Sequence, residues 1–407
     1  MPRTRPFDVI LYGATGFVGR QTVRYFAEHA GGLRWAIAGR SAAKLDALRA
    51  EFIAAAPAVV VADAGDAAAL DALAAQSGVV LSTAGPFARF GSELVAACVR
   101  HGTHYVDITG ETPWIRLMID RHHEAAAKNR TRIVPGCGFD SVPSDLGAWL
   151  VAQALWLQHG QRCVSVKASF SMRGGLNGGT AASALNALGD AGVQAQFDDP
   201  FLLNPAGSVP SDASAHRDPV GALRDADFEA WLAPFVMGPV NTRVVRRSAA
   251  LLAANGPYAP GFRYQEYARM GRGAAGALAA SGVAVGMAAG RTALGFAPLR
   301  RLAARLGPAP GEGPTEWAMD NGSFRCELIG VGDAGRVQRG RIAGRGDPGN
   351  RATTVFVCES ALALARDAKR LPGGARGGGV LTPATALGEV LAERLRQAGM
   401  TVEPADV

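Results

Sequence analysis

The first third of the chain alternates short apolar runs with longer amphipathic segments. The apolar runs cover residues 7–12, 34–38, 59–62, 79–82, 104–107 and 132–135. Runs of this length, separated by helical patterns, predict the strands of a parallel sheet with helices on both faces. Six strands joined by five crossovers make a complete Rossmann domain. We therefore predict an α/β fold whose first domain is doubly wound and covers residues 1–140.

The hydrophobic period changes beyond the helical pattern of residues 143–158. Apolar and polar residues alternate strictly through Cys163–Ser171, which is typical of a strand with one buried and one solvated face. Residues 324–329 and 336–342 predict similar strands late in the chain. These segments together predict a second, α+β domain with an antiparallel sheet, over residues 141–375.

Three other segments complete the predicted organisation. Residues 197–239 are rich in Pro, Asp and Ala and predict loops with short helices, and Pro308–Pro314 has the composition of a linker. The last unit, residues 376–407, contains a helix with Thr382 as N-cap and Gly399 at its end. Its apolar stripe needs a partner, so we expect this helix to return to the Rossmann domain.

Three glycines follow the first predicted strand and open the first helix. Gly13, Gly16 and Gly19 are spaced so that a tight turn directs the helix N-terminus, with its backbone amides, at an anion such as the pyrophosphate of a dinucleotide. The alternative is a glycine-rich turn in an ordinary α/β protein. The cofactor residues predicted in this turn are Gly13, Thr15, Gly16, Phe17, Val18 and Gly19.

The end of the second strand bears on which dinucleotide is bound. An NAD-selective site usually places Asp or Glu about twenty residues after the glycines, to bond the ribose 2′-hydroxyl. Arg40 occupies that place, and a guanidinium binds a 2′-phosphate through paired charge-assisted hydrogen bonds. Ser41 and Lys44 add a donor and a positive charge. We therefore predict NADP(H), against the alternative that Arg40 is merely a solvated arginine.

Ligands of open α/β sheets lie beyond the carboxyl ends of the strands, so two further strand ends enter the prediction. Asp63 is expected to contact the adenine end of the cofactor, or else to cap the next helix. After the fourth strand, a turn of small residues is expected to admit the nicotinamide half, unless it is a plain turn. The cofactor residues predicted in this turn are Ser82, Ala84, Gly85 and Pro86.

The fifth strand carries the densest cluster of proton-handling groups. Strand alternation places Tyr105 and Asp107 on one face, where they could share the rim of a pocket and orient a substrate or donate a proton. We name both as catalytic candidates. The alternative is that Asp107 holds loop backbone. Residues 136–147 form a glycine-containing hinge after the sixth strand, in which Asp140 or Ser141 can cap the next helix.

Composition excludes several other classes of protein. The apolar content is 48% and the charged content 19%, which suits a globular protein with a sizeable core. The net charge of +7 comes from scattered arginines without aromatic interleaving, so we expect no nucleic acid. Five widely spaced cysteines fit a reducing cytoplasm, and no ligand spacing for a metal is present. The Tyr/Lys pair of short-chain dehydrogenases and the GxSxG elbow are also missing.

One segment complicates the picture of a soluble protein. Residues 273–290 carry no charge, are mostly Ala and Gly, and are flanked by arginines. Their length just reaches that of a membrane span. Three placements stay open: a helix or helical hairpin packed on the protein, a peripheral contact with lipid or a lipidic substrate, and a true span.

The motifs together resemble a known family. GATGFVG at residues 13–19, STAGPF after the fourth strand, CVRHGTHYVDITGE at 98–111 and GCGFDSVPSD at 136–145 are similar to the saccharopine dehydrogenase-like oxidoreductases. GDPG at 346–349 and GVLTPA further on resemble the branch of trans-acting enoyl reductases. The resemblance implies an NADP(H)-binding domain, a second α/β domain and reduction of a carbon–carbon double bond on a polyketide chain. Asn350 departs from the aromatic residue that often follows GDPG in this family.

These observations favour an NADPH-dependent enoyl reductase that acts on a lipid or polyketide acyl substrate. Two alternatives remain: an imine or carbonyl reductase of the saccharopine dehydrogenase type, and a non-catalytic NADP(H)-binding protein associated with lipid. We expect a cytoplasmic protein, and a peripheral position at the membrane stays open. Contact with a polyketide synthase or a membrane surface, and a homodimer, stay open as partners.

Overall fold

The computed structural model describes residues 5–174, 191–306 and 313–405, whose strands form two seven-stranded sheets. The first sheet, sheet A, is entirely parallel and has the order β13-β6-β5-β4-β1-β2-β3. Its strands, numbered along the chain, are β1 Phe7–Tyr12, β2 Trp35–Gly39, β3 Ala58–Val61, β4 Ser77–Ser82, β5 His104–Asp107, β6 Arg132–Val134 and β13 Gly379–Val380. This order confirms the predicted Rossmann domain and places its switch point between β1 and β4.

Helices cover both faces of sheet A. Alternate residues of β1 enter different apolar clusters, because Val9 and Leu11 pack on one face of the sheet and Ile10 packs on the other. The helices of this half are α1 Phe17–His29, α2 Ala42–Glu51, α3 Ala67–Ala75, α4 Phe87–Phe90, α5 Ser92–His101, α6 Thr112–Lys128 and α7 Val142–His159. Helices α3, α5 and α6 share the cluster of Ile10, and α1 and α2 share the other.

The second sheet, sheet B, has the order β14-β12-β11-β7-β10-β9-β8. Its strands are β7 Cys163–Arg173, β8 Leu223–Asp225, β9 Ala230–Pro234, β10 Tyr258–Gly271, β11 Ser323–Gly332, β12 Val337–Arg345 and β14 Thr401–Ala405. All neighbours are antiparallel except β7 and β10, which run parallel. Val166, Ala168 and Phe170 are buried on β7 as the alternation predicted, but Ser169 on the opposite face is buried too, so that face is not solvated throughout.

The remaining helices are distributed between the two sheets and the surface. They are α8 Ala191–Asp198, α9 Gly238–Leu251, α10 Gly273–Gly295, α11 Ala297–Leu306, α12 Glu316–Asp320, α13 Thr353–Arg366 and α14 Pro383–Gln397, with short turns of 3-10 or π type at Ala213–His216, Pro348–Ala352 and Gly374–Arg376. Helix α13 contacts β1, β4 and β5, so a late segment covers the face of sheet A that the early crossovers leave open.

The C-terminal unit joins both halves of the molecule. Strand β13 adds to the edge of sheet A beside β6, and β14 adds to the edge of sheet B beside β12. Helix α14 between them packs on α7 and α13, and Thr382 caps it in a capping box with Thr385, as the sequence predicted for the cap. The last residues therefore return to the Rossmann sheet and also complete the second sheet.

One expectation about the organisation of the chain needs correction, and another lies largely outside the described residues. Residues 197–239 were expected to hold loops and short helices, yet they contain β8 and β9, which pair with each other, and β9 also pairs with β10. Both strands are short and only their tertiary partners define them. The predicted linker Pro308–Pro314 falls largely on residues 307–312, which lie outside the described part of the chain.

Candidate cofactor site and crevice

The glycine turn brings β1, α1 and β4 into close contact at the switch point of sheet A. Gly13 has φ +85°, and a Cβ on it would lie 2.9 Å from the backbone nitrogen of Ala84. A Cβ on Gly19 would lie 2.1 Å from the carbonyl oxygen of Gly13, so only glycine lets the helix approach the strand so closely. Gly16 is the N-cap of α1 and is exposed. No side chain caps this end of the helix, and no acidic residue lies in its first turn.

The other predicted members of the turn frame this helix start. Thr15 and Phe17 are half-buried, and Val18 is buried. The ring of Phe17 lies against Gly313, because a Cβ on that glycine would come within 2.4 Å of the ring. Phe17 is thus packed partly against the late chain. The N–H of Gly16 donates to the carbonyl oxygen of Gly13 at 3.0 Å, so the uncapped amides that can bind an anion are those of the first helical turn after Gly16.

Charged side chains surround the ends of β1, β2 and β3. Arg40 is exposed directly after β2 and has no ion pair among the described residues. Burial and the nearby Asp63 together raise the pKa of Tyr12 to about 12, while Arg40 acts to lower it. Both charges therefore lie near the end of β1. Lys44, on the first turn of α2, is exposed as well.

Two of the residues predicted to bind cofactor at these strand ends also have local structural roles. Ser41 is the N-cap of α2 and accepts a hydrogen bond from the backbone N–H of Lys44 at 3.4 Å. Asp63 accepts from the N–H of Gly65 at 2.8 Å, and Asp66, not Asp63, caps α3. The helix-cap alternative for Asp63 is thus wrong. Its exposed carboxylate lies at the carboxyl end of β3, on the edge of sheet A where the turns after β1, β2 and β4 also lie. We call this edge the crevice.

The turn after β4 lies beside the glycine turn. Ser82 is buried and accepts from the N–H of Ala84 at 3.4 Å, while Gly85 is exposed and Pro86 is half-buried. The peptide bond between Gly85 and Pro86 is cis. Beyond it, the N–H groups of the next two residues donate to the Glu111 carboxylate at 2.8 and 2.9 Å. The β5 loop thereby fixes the β4 turn in place.

The two catalytic candidates on β5 do not line a pocket rim, because both side chains are completely buried in sheet A. Asp107 accepts from the N–H groups of Thr109 at 3.0 Å and Gly136 at 2.9 Å, so it holds the loops after β5 and β6 together. Burial raises the pKa of Asp107 to about 7. Burial, with the neighbouring Asp107 carboxyl, raises the pKa of Tyr105 well above its usual value. The prediction that Tyr105 and Asp107 share the rim of a pocket is therefore wrong. Asp107 instead holds loop backbone, which is the alternative that the sequence left open.

Asp140 is the carboxyl that the structure brings to the crevice, and the sequence indicated it only as a possible helix cap. It follows β6, yet Ser141 is the N-cap of α7, and no side chain caps that helix. Among the described residues Asp140 has no hydrogen-bonding partner, and burial alone raises its pKa to about 6. The residue nevertheless keeps partial access to solvent. A carboxyl with a pKa near neutrality and an unused hydrogen-bonding capacity can act as an acid or a base.

The second domain supplies an apolar wall opposite Asp140. A Cβ on Gly110 would lie 3.6 Å from Asp140 Oδ2, 3.8 Å from Met237 Cε and 3.8 Å from Val240 Cγ2. These contacts bring the β5 loop, the β6 loop and the start of α9 to one place. Ile108 and Met237 are partly exposed there. An acidic group beside apolar side chains at the join of two domains is typical of a substrate site.

A buried polar cluster supports this wall from within. Glu266 on β10 accepts from Ser144 Oγ at 2.7 Å, Tyr264 OH at 2.9 Å and Asn241 Nδ2 at 2.8 Å. These bonds tie β10 to the starts of α7 and α9. Burial raises the pKa of Glu266 to about 7 despite the three donors.

The GDPG segment closes another side of the loop that carries Asp140. Thr353 Oγ1, at the start of α13, accepts from the N–H of Phe139 at 3.1 Å. Asp347 caps the preceding turn by accepting from the N–H of Arg351 at 3.0 Å and from Asn350 Nδ2 at 2.5 Å. Asn350 is fully buried, so it serves the turn itself and does not face the crevice.

These features define a class of protein. An uncapped helix start beside glycines that let a ligand reach the backbone fits a pyrophosphate, and an exposed, unpaired Arg40 at the next strand end fits a 2′-phosphate. The described residues contain no cluster of three metal-ligating side chains. The fold and the crevice are those of an NADP(H)-dependent oxidoreductase.

Comparisons with known proteins agree. Residues 9–134 match the saccharopine dehydrogenase NADP binding domain. A relative from Mycobacterium tuberculosis is 39% identical over 416 residues, covering 98% of this chain and 97% of the relative. The trans-acting enoyl reductase of Mycobacterium ulcerans is 38% identical, with the same coverage. The apo saccharopine dehydrogenase (L-Glu forming) of Saccharomyces cerevisiae superimposes with a TM-score of 0.52 at 13% identity, covering 98% of this chain and 100% of that chain.

The chain therefore belongs to the trans-acting enoyl reductase branch of the saccharopine dehydrogenase-like oxidoreductases. Its binding of NADP(H) and its character as an oxidoreductase follow from this membership. The likeness to the yeast enzyme concerns the fold alone.

Proposed function

We propose that this protein reduces the carbon–carbon double bond of an α,β-unsaturated acyl thioester, with a lipid or polyketide acyl chain as substrate. Bound NADPH supplies the hydride that is added to the β-carbon. The α-carbon takes up a proton, which leaves a saturated acyl chain and NADP⁺. Two relatives that match nearly the whole chain, from Mycobacterium ulcerans and Mycobacterium bovis, carry the name trans-acting enoyl reductase, which supports this choice of reaction.

The observation that carries the proposal is the position of Asp140. Its carboxyl is free of hydrogen bonds, has a pKa of about 6 and lies where the loops after β5 and β6 meet the second domain. In its protonated form it donates the proton to the α-carbon. The neighbouring Ile108, Met237 and Val240 offer an acyl chain an apolar surface and limit the access of water.

The second reading, an imine reductase acting on a dicarboxylic amino acid, finds no matching set of cations in α9, the helix that begins at this wall. The three arginines of this helix are all buried. Arg246 and Arg247 donate to backbone carbonyls, and Arg243 pairs with Asp218. They hold residues 197–218 in place, and their guanidinium groups are engaged within the protein, with only Nε of Arg246 and Nε of Arg247 lacking a partner among the described residues.

The phrase "trans-acting" in the names of the relatives motivates a further part of the proposal. The acyl chain reaches the crevice while it is attached to the carrier domain of a separate polyketide synthase. In this proposal the carrier-bound acyl chain enters at the domain join beside Gly110 and Asp140.

The proposal is tested by NADPH oxidation with two substrate panels. One panel contains enoyl thioesters of increasing chain length, and the other contains amino acids together with 2-oxo acids. We expect turnover with the enoyl panel and a preference for longer chains. Turnover with the second panel only would replace the proposal by the imine reductase reading.

A further inference from the structure

Helix α10 is apolar but mostly uncovered. It is the one helix among the described residues that is long and apolar enough to cross a membrane, and only 11% of its most apolar stretch is buried. Residues 273–290 contain no charged side chain. A soluble protein rarely leaves so long an apolar helix in contact with water, unless another surface covers it.

One side of α10 is fixed to sheet B. Gly276, Ala280 and Ala284 are buried at helical spacing, and the helix contacts β9 and β10. A Cβ on Gly276 would lie 2.7 Å from the backbone of Gly271 and 3.4 Å from the ring of Trp231. Because this side stays attached to the sheet, the helix lies along the molecular surface and is not placed to cross a bilayer.

The opposite side exposes large apolar side chains that continue into α11. Leu278 is 76% exposed and Val285 is 68% exposed. Five of the fourteen exposed large hydrophobic residues of the described chain lie in this short region: Leu278, Val285, Phe296, Leu299 and Leu302. We call the exposed sides of α10 and α11 the α10–α11 surface.

Arginines dominate the charge around this surface. Residues 267–311 contain six arginines and no Asp or Glu. Arg272 and Arg291, at the two ends of the uncharged stretch, pair with Glu229 and Asp198. Arg301 and Arg305 on α11 are exposed and have no ion pair among the described residues. An apolar face bordered by arginines is typical of helices that lie in the headgroup region of anionic membranes.

We propose that the α10–α11 surface binds to a membrane leaflet that bears anionic phospholipids. Leu278, Val285 and Phe296 enter the boundary between headgroups and acyl chains, while Arg301 and Arg305 contact lipid phosphates. The proposal goes beyond the reaction and does not depend on it. Of the three placements that the sequence left open for residues 273–290, the proposal selects the peripheral contact with lipid.

A second copy of the chain is the main competing occupant. A symmetric dimer through this surface would bring together two copies of a surface whose exposed charges without an ion pair in the described chain, Arg301 and Arg305, are both positive, which opposes association. An anionic leaflet provides the opposite charge and also covers the apolar side chains. Charge therefore favours the membrane.

Flotation of the full chain with lipid vesicles tests this inference. We expect the protein to float with vesicles of phosphatidylcholine and phosphatidylglycerol, and to float much less with phosphatidylcholine alone or at high salt. Leu278→Glu should lower the partition coefficient about tenfold or more. Leu157→Glu is the matched control, because Leu157 is 77% exposed and lies on α7, outside the α10–α11 surface. NADPH binding by both variants reports that they are folded.

Two kinds of result would overturn the inference. One kind is a lack of specific vesicle binding: either wild-type protein that stays with the soluble fraction for both vesicle compositions, or binding that Leu157→Glu weakens as much as Leu278→Glu does. The other is a wild-type dimer in sedimentation velocity that Leu278→Glu converts to a monomer, without vesicle binding by either protein. That second result would assign the surface to a second copy of the chain.

Discussion

Arg40 is the residue expected to distinguish NADPH from NADH. Its guanidinium is exposed at the end of β2 and unpaired among the described residues, so it is free to bind a 2′-phosphate. Arg40→Ala should weaken NADPH binding about 10- to 100-fold and leave NADH binding unchanged. Titration of nicotinamide fluorescence measures both affinities. Arg49→Ala is the control. Arg49 lies on α2 and is paired with Asp46, so its removal should change neither the NADPH affinity nor the NADH affinity.

Asp140 is predicted to give the reaction its pH dependence. Its pKa of about 6 means that the proton donor is lost as the pH rises through that value, so kcat/KM should fall about tenfold per pH unit above it. Asp140→Asn should lower kcat about a hundredfold or more and remove this decline. The exposed Asp333→Asn is the control. An Asp140→Asn enzyme with the wild-type pH profile would show that another group donates the proton.

The sequence predicts residues whose function follows from local geometry and misses those defined by distant neighbours. The glycines and Arg40 are recognisable because their spacing from one strand end is enough to place them. Asp140 looks like a helix cap in the sequence, and only the approach of Gly110 and the second domain gives it the environment of an acid. Conversely, Asp107 stands in a promising cluster, but the sheet buries it completely.

The first turn of α1 is the element on which cofactor binding depends most. A methyl group at position 19 would overlap the Gly13 carbonyl oxygen, so Gly19→Ala must push the helix away from β1. We expect the free energy of unfolding to fall by about 1–3 kcal/mol and NADPH affinity to fall about tenfold or more. Urea unfolding and fluorescence titration measure the two effects.

Gly282→Ala is the matched control for this prediction. Gly282 lies inside helix α10, and a Cβ there would meet nothing within 4 Å. Alanine should therefore raise the free energy of unfolding by up to about 1 kcal/mol, because it favours the helix. If both substitutions had the same small effect, the close approach of α1 to β1 would not matter for this site.

Elements with strong local signals were predictable, and elements defined by pairing were not. The first six strands of sheet A, β1 to β6, and the cap at Thr382 follow from periodicity and spacing. Strands β8 and β9 are short and exist because β10 pairs with β9. Helix α13 has the sequence of an ordinary buried helix, and nothing local indicates that it covers β4 and β5 of the first sheet.

At the scale of the whole molecule, the buried carboxyl of Glu266 should make stability depend on pH. Its pKa is about 7 in the folded protein and 4.5 in the unfolded chain, so folding retains a proton between these values. The contribution of Glu266 to the free energy of unfolding is fully present below pH 4.5 and is lost as the pH rises through 7. The expected loss in the free energy of unfolding is up to about 3 kcal/mol.

Urea unfolding at several pH values compares Glu266→Gln with the wild type. In the wild type the free energy of unfolding should decline between mildly acidic and neutral pH. In the variant this decline should be smaller, because the amide does not titrate. Glu51→Gln, which changes a surface ion pair with Arg20, should keep the wild-type dependence. Equal pH dependence in Glu266→Gln and wild type would show that Glu266 titrates normally.

The most direct test of the account follows the hydride itself. The purified protein is incubated with NADPH deuterated at C4 of the nicotinamide and with an enoyl thioester, and the product is analysed by mass spectrometry and NMR. We expect one deuterium on the β-carbon and one solvent proton on the α-carbon of a saturated acyl chain. A product without deuterium on the acyl chain, or deuterium found only on an amine- or hydroxyl-bearing carbon, would contradict enoyl reduction.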